Sequence, residues 1–112
     1  MSLLKLDTQA ADGFVTLVLD GELDISSAPQ VEDALSELEA GRPPVLVIDL
    51  RSLDFMDSTG LRTVVGADAR AREQGRRVAI VRGPEPVDRI FSVTRLDERL
   101  QMIDEPQAVL AI

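Results

Sequence analysis

Two short runs of apolar residues limit the folds open to this chain. Val45–Ile48 and Val78–Val81 are uninterrupted by any polar residue, which is typical of parallel strands buried on both faces. The segment between them carries Leu61, Val64 and Val65 at helical spacing. A strand, helix, strand succession predicts a parallel pair joined by a right-handed crossover. We therefore expect an α/β sheet with Val45–Ile48 as its central strand.

The rest of the chain completes a single domain over residues 1–112. We expect a mixed, mostly parallel sheet with an N-terminal β-hairpin and flanking helices. The other elements are a hairpin from residues 4–8 and 14–19, a first helix from about Ser26 to Ala40, a second from Asp57 or Ser58 to about Gly75, a short third helix from Pro84, a last strand at 100–103 and a brief helix from Pro106. Asp68 follows Leu61 by seven residues and interrupts the apolar face of the second helix, so we expect it near the sheet edge, partly exposed.

Composition excludes most enzymes. The chain has no cysteine and no histidine, which excludes thiol nucleophiles, the usual zinc sites and a Ser-His-Asp triad. It also lacks a phosphate-binding Gly-x-x-x-x-Gly-Lys loop and a convincing pair of facing carboxylates. We therefore expect a protein that is not an enzyme and holds no metal or cofactor.

Charge and hydropathy restrict partners and location. The net charge of −8 should repel nucleic acid. The first six residues lack the basic start of a secretion signal, and no apolar run approaches the roughly 18 residues of a membrane span. We expect a cytoplasmic protein with no membrane partner.

The charges are unevenly spread along the chain. Asp20–Asp57 holds ten acids against two arginines, whereas Ser58–Arg82 holds six arginines against two acids. Solvated helix and loop faces are the ordinary explanation of such runs. The alternative is an acidic docking surface around Asp24, to which a partner presents arginines or lysines.

The segment Leu53–Leu61 is the best candidate for a functional site, because it joins the central strand to the second helix. Ligands and partners of open α/β sheets meet this edge of the fold. Ser58 offers a hydroxyl at the start of the helix, where free N–H groups and the helix dipole favour a phosphate. An ordinary helix cap has the same local sequence, and spacing alone does not separate the two interpretations.

Two motifs together carry a family resemblance. Gly21-Glu22-Leu23-Asp24 and Phe55-Met56-Asp57-Ser58-Thr59-Gly60-Leu61 resemble the paired signature of the STAS domains of anti-sigma factor antagonists. The resemblance covers essentially the whole chain, including Gly83-Pro84. It implies that Ser58 is phosphorylated by the anti-sigma factor itself, a serine kinase with a histidine-kinase-like ATP fold. A PP2C-type phosphatase reverses the modification in this family.

The resemblance also assigns roles around Ser58. It implies that Asp24 lies close to Ser58 and helps present it to the kinase, while Asp57 shapes the loop. Thr59 is at most a minor phosphoacceptor, pointing along the helix flank. The partner-binding surface implied in this way consists of Asp24, Asp57, Ser58, Thr59, Gly60 and Arg62.

Two arginines depart from the family pattern. Arg62 and Arg95 occupy positions where many relatives have glycine or, at the first, another small residue. Arg62 lies one helical turn after Ser58, from where it could pair with a phosphate, although a plain surface arginine is the alternative. An alternative function is a stand-alone STAS subunit that docks on a transporter or a stress-sensing complex without phosphorylation.

Overall fold

The computed structural model describes residues 3–111, which form a five-stranded sheet of order β1-β2-β3-β4-β5. The elements are β1 (Leu4–Ala11), β2 (Phe14–Leu23), α1 (Ala28–Ala40), β3 (Val45–Met56), α2 (Ser58–Glu73), β4 (Arg77–Val81), α3 (Glu85–Val93), a 3₁₀ turn (Leu96–Glu98), β5 (Gln101–Ile103) and a C-terminal 3₁₀ helix (Pro106–Ala111). β1 pairs antiparallel with β2, and every other pairing is parallel. The predicted mixed sheet, its opening hairpin and the central place of β3 are confirmed.

The core lies on both faces of the sheet. Leu46 and Ile48 of β3 pack with residues of all three helices in the main cluster, and both are fully buried. Val47 points to the other face, where a smaller cluster includes Val109 of the C-terminal 3₁₀ helix. Burial on two faces explains the continuous apolar run of this strand. No helix within residues 3–111 has the length and hydropathy needed to cross a membrane.

Strands β2 and β3 are longer than the sequence predicted. They continue to Leu23 and Met56, so the segments placed in a turn and a loop are strand. The two extensions pair with each other through Glu22↔Phe55 and Leu23↔Met56, after a shift in register. Each extension supplies hydrogen-bond partners to the other, and the β2 extension also pairs with β1 through Leu4↔Gly21. The 3₁₀ turn at Leu96–Glu98 was also missed.

The prediction for Asp68 is wrong. Its residue exposure is only 9%, and it lies on the inner side of α2. Arg72, one turn later, donates a 2.8 Å hydrogen bond from Nε to Asp68 Oδ2. A carboxylate tolerates burial when it is paired in this way.

The ends of α1 follow the sequence signals. Its N-cap is Ser27, a proline lies in the first turn, and Gly41 is the C-cap. Arg95 has a φ of 60°, a left-handed conformation that favours glycine. A glycine, which the family resemblance led us to expect at that position, would adopt this conformation without strain.

Candidate functional site

The two motifs that carry the family resemblance meet at one edge of the sheet. The first lies at the end of β2 and the second at the end of β3, and the strands pair through Leu23↔Met56. Beyond the last pair, the N–H of Asp57 donates to the Leu23 carbonyl at 3.2 Å. The loop before α1 and the first turn of α2 are therefore held side by side.

Asp57 ties these two segments together with its carboxylate. Oδ1 accepts a 2.9 Å hydrogen bond from the N–H of Gly60, which caps α2. Oδ2 accepts a 3.2 Å hydrogen bond from the N–H of Ile25 in the other loop. Both oxygens are thus used to fix backbone, and the position of the neighbouring Ser58 depends on them.

Two glycines of the motifs are required by close packing. A Cβ on Gly21 would lie 2.0 Å from the Leu3 carbonyl oxygen, and the residue has a φ of +122°. A Cβ on Gly60 would lie 2.7 Å from Leu23 Cγ and 2.9 Å from the Leu23 carbonyl oxygen. Gly60 therefore allows the first turn of α2 to touch the end of β2 directly.

Asp24 is bonded within its own loop. Oδ1 accepts from the hydroxyl of Ser26 at 2.6 Å and from its N–H at 2.9 Å. The N–H of Ser27 adds a weaker contact at 3.2 Å. The Ser26 hydroxyl, followed by these backbone donors, holds the pKa of Asp24 below its ordinary value, against a smaller opposing effect of desolvation. Asp24 makes no hydrogen bond to Ser58, and its contact with the α2 segment is indirect.

Ser58 is the first residue of α2, and its side chain is exposed. Its hydroxyl makes no hydrogen bond to any described residue. The first helical hydrogen bond runs from the N–H of Leu61 to the Asp57 carbonyl at 3.0 Å, and Asp57 Oδ1 takes the N–H of Gly60. The N–H groups of Ser58 and Thr59 are left open to an acceptor from outside the helix.

Sequence reasoning missed two exposed apolar side chains in the segments that form this edge. Ile25 is 74% exposed and Phe55 is 47% exposed. Ile25 lies in the loop before α1, and its N–H is bonded to Asp57. Phe55 is the second-to-last residue of β3. Ile25 has a local signal in the sequence, because it is an apolar residue between Asp24 and two serines. The exposure of Phe55 has none, because it depends on the strand extension that the sequence did not predict.

A groove of about 590 Å³ opens beside Ser58, between the first turns of α1 and α2. Its lining includes Ile25, Pro29, Glu32, Asp33, Thr59 and Arg62. Of the residues expected to bind a partner, Thr59 and Arg62 therefore share this groove. Residues 3–111 contain no group of three or more acidic side chains placed to hold a metal ion.

Comparison with known proteins gives consistent matches over nearly the whole chain. The model of the STAS domain matches residues 5–108. The anti-sigma-B factor antagonist of Listeria monocytogenes is 33% identical over 96 residues, which are 86% of this chain and 81% of that protein. A crystal structure of an anti-sigma factor antagonist from Mycobacterium paratuberculosis aligns with a TM-score of 0.83 and 27% identity, covering 96% of this chain and 92% of the other.

A further structural match is the Bacillus cell fate determinant SpoIIAA in its phosphorylated form. It aligns with a TM-score of 0.70 and 21% identity, covering 95% of this chain and 96% of SpoIIAA. At this identity the match supports the fold.

Proposed function

This chain belongs to the STAS domain family of anti-sigma factor antagonists, and we propose that it binds an anti-sigma factor serine kinase and thereby releases the sigma factor. Phosphorylation of Ser58 by that kinase ends the binding, and a PP2C-type phosphatase restores it. The site of action is the cytoplasm, where bacterial transcription takes place. The observation that carries the proposal is the exposed, unbonded Ser58 hydroxyl at the start of a rigidly held α2.

The chemistry needs only a well-placed hydroxyl from this chain. Ser58 Oγ attacks the γ-phosphorus of ATP held by the kinase, the bond to the ADP oxygen breaks, and a base on the kinase takes the hydroxyl proton. The new phosphate lies where the N–H groups of Ser58 and Thr59 are free to donate. Because the helix dipole also favours the dianion there, the fold accommodates the product without rearrangement.

The modification acts on the docking surface through charge. A phosphate adds about −1.5 to −2 charges to an edge that already carries Asp24 and Asp57. Placed about 6 Å from a carboxylate of the docked kinase, one added charge costs about 2.8 kcal/mol at an effective dielectric near 20, which is roughly a hundredfold in affinity. The acids of this edge also fit a kinase surface that presents arginines or lysines, because complementary charge speeds association.

Two Ser58 variants test the proposal. Ser58→Ala should bind the anti-sigma factor persistently with ATP present, whereas Ser58→Asp should bind roughly tenfold to a hundredfold more weakly, since one carboxylate mimics phosphate incompletely. Ser36→Ala on α1, the matched control, removes an exposed hydroxyl outside the docking surface and should keep the phosphorylation and affinity of the native chain. The measurements are phosphate incorporation, affinity with ADP or ATP, and sigma-dependent transcription.

The same experiment separates the alternative function. If both Ser58 variants bind equally and the native chain never gains a phosphate, the chain is a docking subunit of a transporter or a stress-sensing complex. In that case its partner is sought without regard to ATP.

A further inference from the structure

Arg62 differs from the arginines that follow it on α2. Arg70 is bonded to Glu39, and Arg72 is bonded to Asp68. Arg62 is exposed and makes no hydrogen bond or ion pair with any residue in 3–111. Its guanidinium is therefore available to an anionic group that is absent from the unmodified, unbound chain.

Two anionic groups can reach Arg62: a phosphate on Ser58, and a carboxylate of a partner that binds in the groove. Arg62 lies four residues after Ser58, so the two side chains are neighbours on one helix face, with Cβ atoms about 5–6 Å apart. Helical side chains lean toward the N-terminus, which directs Arg62 toward Ser58. The same side chain lines the groove between α1 and α2, where a partner can reach it.

The location of Arg62 matters because the other charged side chains that line the groove are acidic. Arg62 is the one cation among its described lining residues, opposite the carboxylates of Glu32 and Asp33. Neither carboxylate forms an ion pair with Arg62; the recorded contact of Glu32 is with Arg70, at 4.0 Å. If the Arg62 side chain turns away from the groove, the charged side chains that remain to face a partner are both acidic.

We infer that Arg62 couples phosphorylation of Ser58 to the groove. While Ser58 is free, the Arg62 guanidinium contacts a carboxylate of the bound kinase; once Ser58 is phosphorylated, it pairs with the phosphate and leaves the groove acidic. The inference rests on the proposed function and names Arg62 as a specificity residue of the docking surface. It adds a loss of attraction to the repulsion already described.

Titration of the phosphate by ³¹P NMR tests the first half. The full chain is prepared with phosphoserine inserted at position 58 during translation, so no kinase is needed. The second pKa of phosphoserine is near 6, and Arg62→Ala should raise it by about half a pH unit, because a paired cation favours the dianion. Arg62→Lys should raise it less, and Arg89→Ala on α3 should leave it unchanged.

The acids that face the phosphate do not confuse this measurement. Asp24, Asp57, Glu32 and Asp33 are present in every variant, so they do not account for a difference between variants. An unchanged phosphate pKa in Arg62→Ala would overturn the pairing.

Binding of the unphosphorylated chain to the kinase tests the second half. Arg62→Ala should weaken the affinity about threefold to tenfold, and the loss should shrink at high salt, as expected of a solvent-accessible charge pair. Equal affinities of Arg62→Ala and the native chain would overturn the groove contact. The phosphate titration needs no kinase, so its result is independent of the Ser58 experiment that decides the proposed function.

Discussion

The two ends of α2 are held in place by different means. At the first turn, main-chain contacts hold the helix. The N–H of Gly60 donates to the Asp57 carboxylate, and Gly60 itself packs against Leu23. At the last turns, arginine side chains hold the helix: Arg70 is bonded to the Glu39 carboxylate of α1, and Arg72 donates to the Arg99 carbonyl at 2.6 Å. The first arrangement leaves side chains free for a partner, whereas the second uses them for stability. The run of arginines after Ser58 is therefore mostly structural.

The largest expected effect compares one substitution at two glycines of α2. Gly60→Ala should destabilise the fold by about 2 kcal/mol, because the new Cβ overlaps Leu23 and overpacking costs about 1–3 kcal/mol. Gly66→Ala should stabilise it by about 0.5–1 kcal/mol, because its Cβ meets only the end of the Arg70 side chain, at 3.3 Å, and alanine favours helix. Urea unfolding followed by circular dichroism measures both. A Gly60→Ala chain as stable as the native one would mean that the first turn is not packed as described.

Much of this arrangement could be read from local sequence. The apolar runs predicted β3 and β4, and the cap residues predicted the ends of α1, because burial and capping depend on neighbouring residues. The pairing of Asp68 with Arg72 was also local, at a spacing of four residues. That spacing predicts the pair but not the burial of Asp68, since the Arg72 side chain is itself 62% exposed.

The packing of the site could not be read in this way. The need for Gly21 arises from the Leu3 carbonyl across the hairpin, and the bridge from Asp57 to Ile25 joins residues 32 positions apart. Both depend on strand register, which is set by the whole sheet. The resemblance indicated which residues matter there, and the structure supplies the reasons for the two glycines and for Asp57.

A smaller effect is expected at the far end of α2. The Arg70 guanidinium donates two hydrogen bonds to Glu39, at 2.8 and 2.9 Å, and the Glu39 side chain is only 15% exposed. A double-mutant cycle on this pair should give about 1 kcal/mol of coupling, because the contact is bidentate and partly buried. The exposed pair Arg89–Glu85 on α3 is the matched control and should give about 0.3–0.5 kcal/mol. Equal coupling energies for the two pairs would mean that the Arg70–Glu39 contact stabilises the far end of α2 no more than an exposed surface pair does.

The smallest effect concerns Asp24, beside the first turn. Its folded pKa lies below the unfolded value of about 3.9, so its contribution to stability is complete above that value and is lost as the pH falls through the folded pKa. The gain is small, because the carboxylate is solvent-accessible. Carbon-detected NMR titration should place the Asp24 midpoint below the ordinary value.

Removal of the Ser26 hydroxyl sharpens this last test, because that group is the largest cause of the shift. Ser26→Ala should raise the Asp24 midpoint toward its ordinary value while changing the unfolding midpoint little. Ser36→Ala removes an exposed hydroxyl of α1 that makes no hydrogen bond within residues 3–111 and should change neither midpoint. If Ser26→Ala leaves the Asp24 midpoint unchanged, Asp24 is not bonded within its loop in solution. Asp57 alone would then connect that loop to Ser58, and the acidic docking edge would be less ordered than the arginine-bonded end of α2.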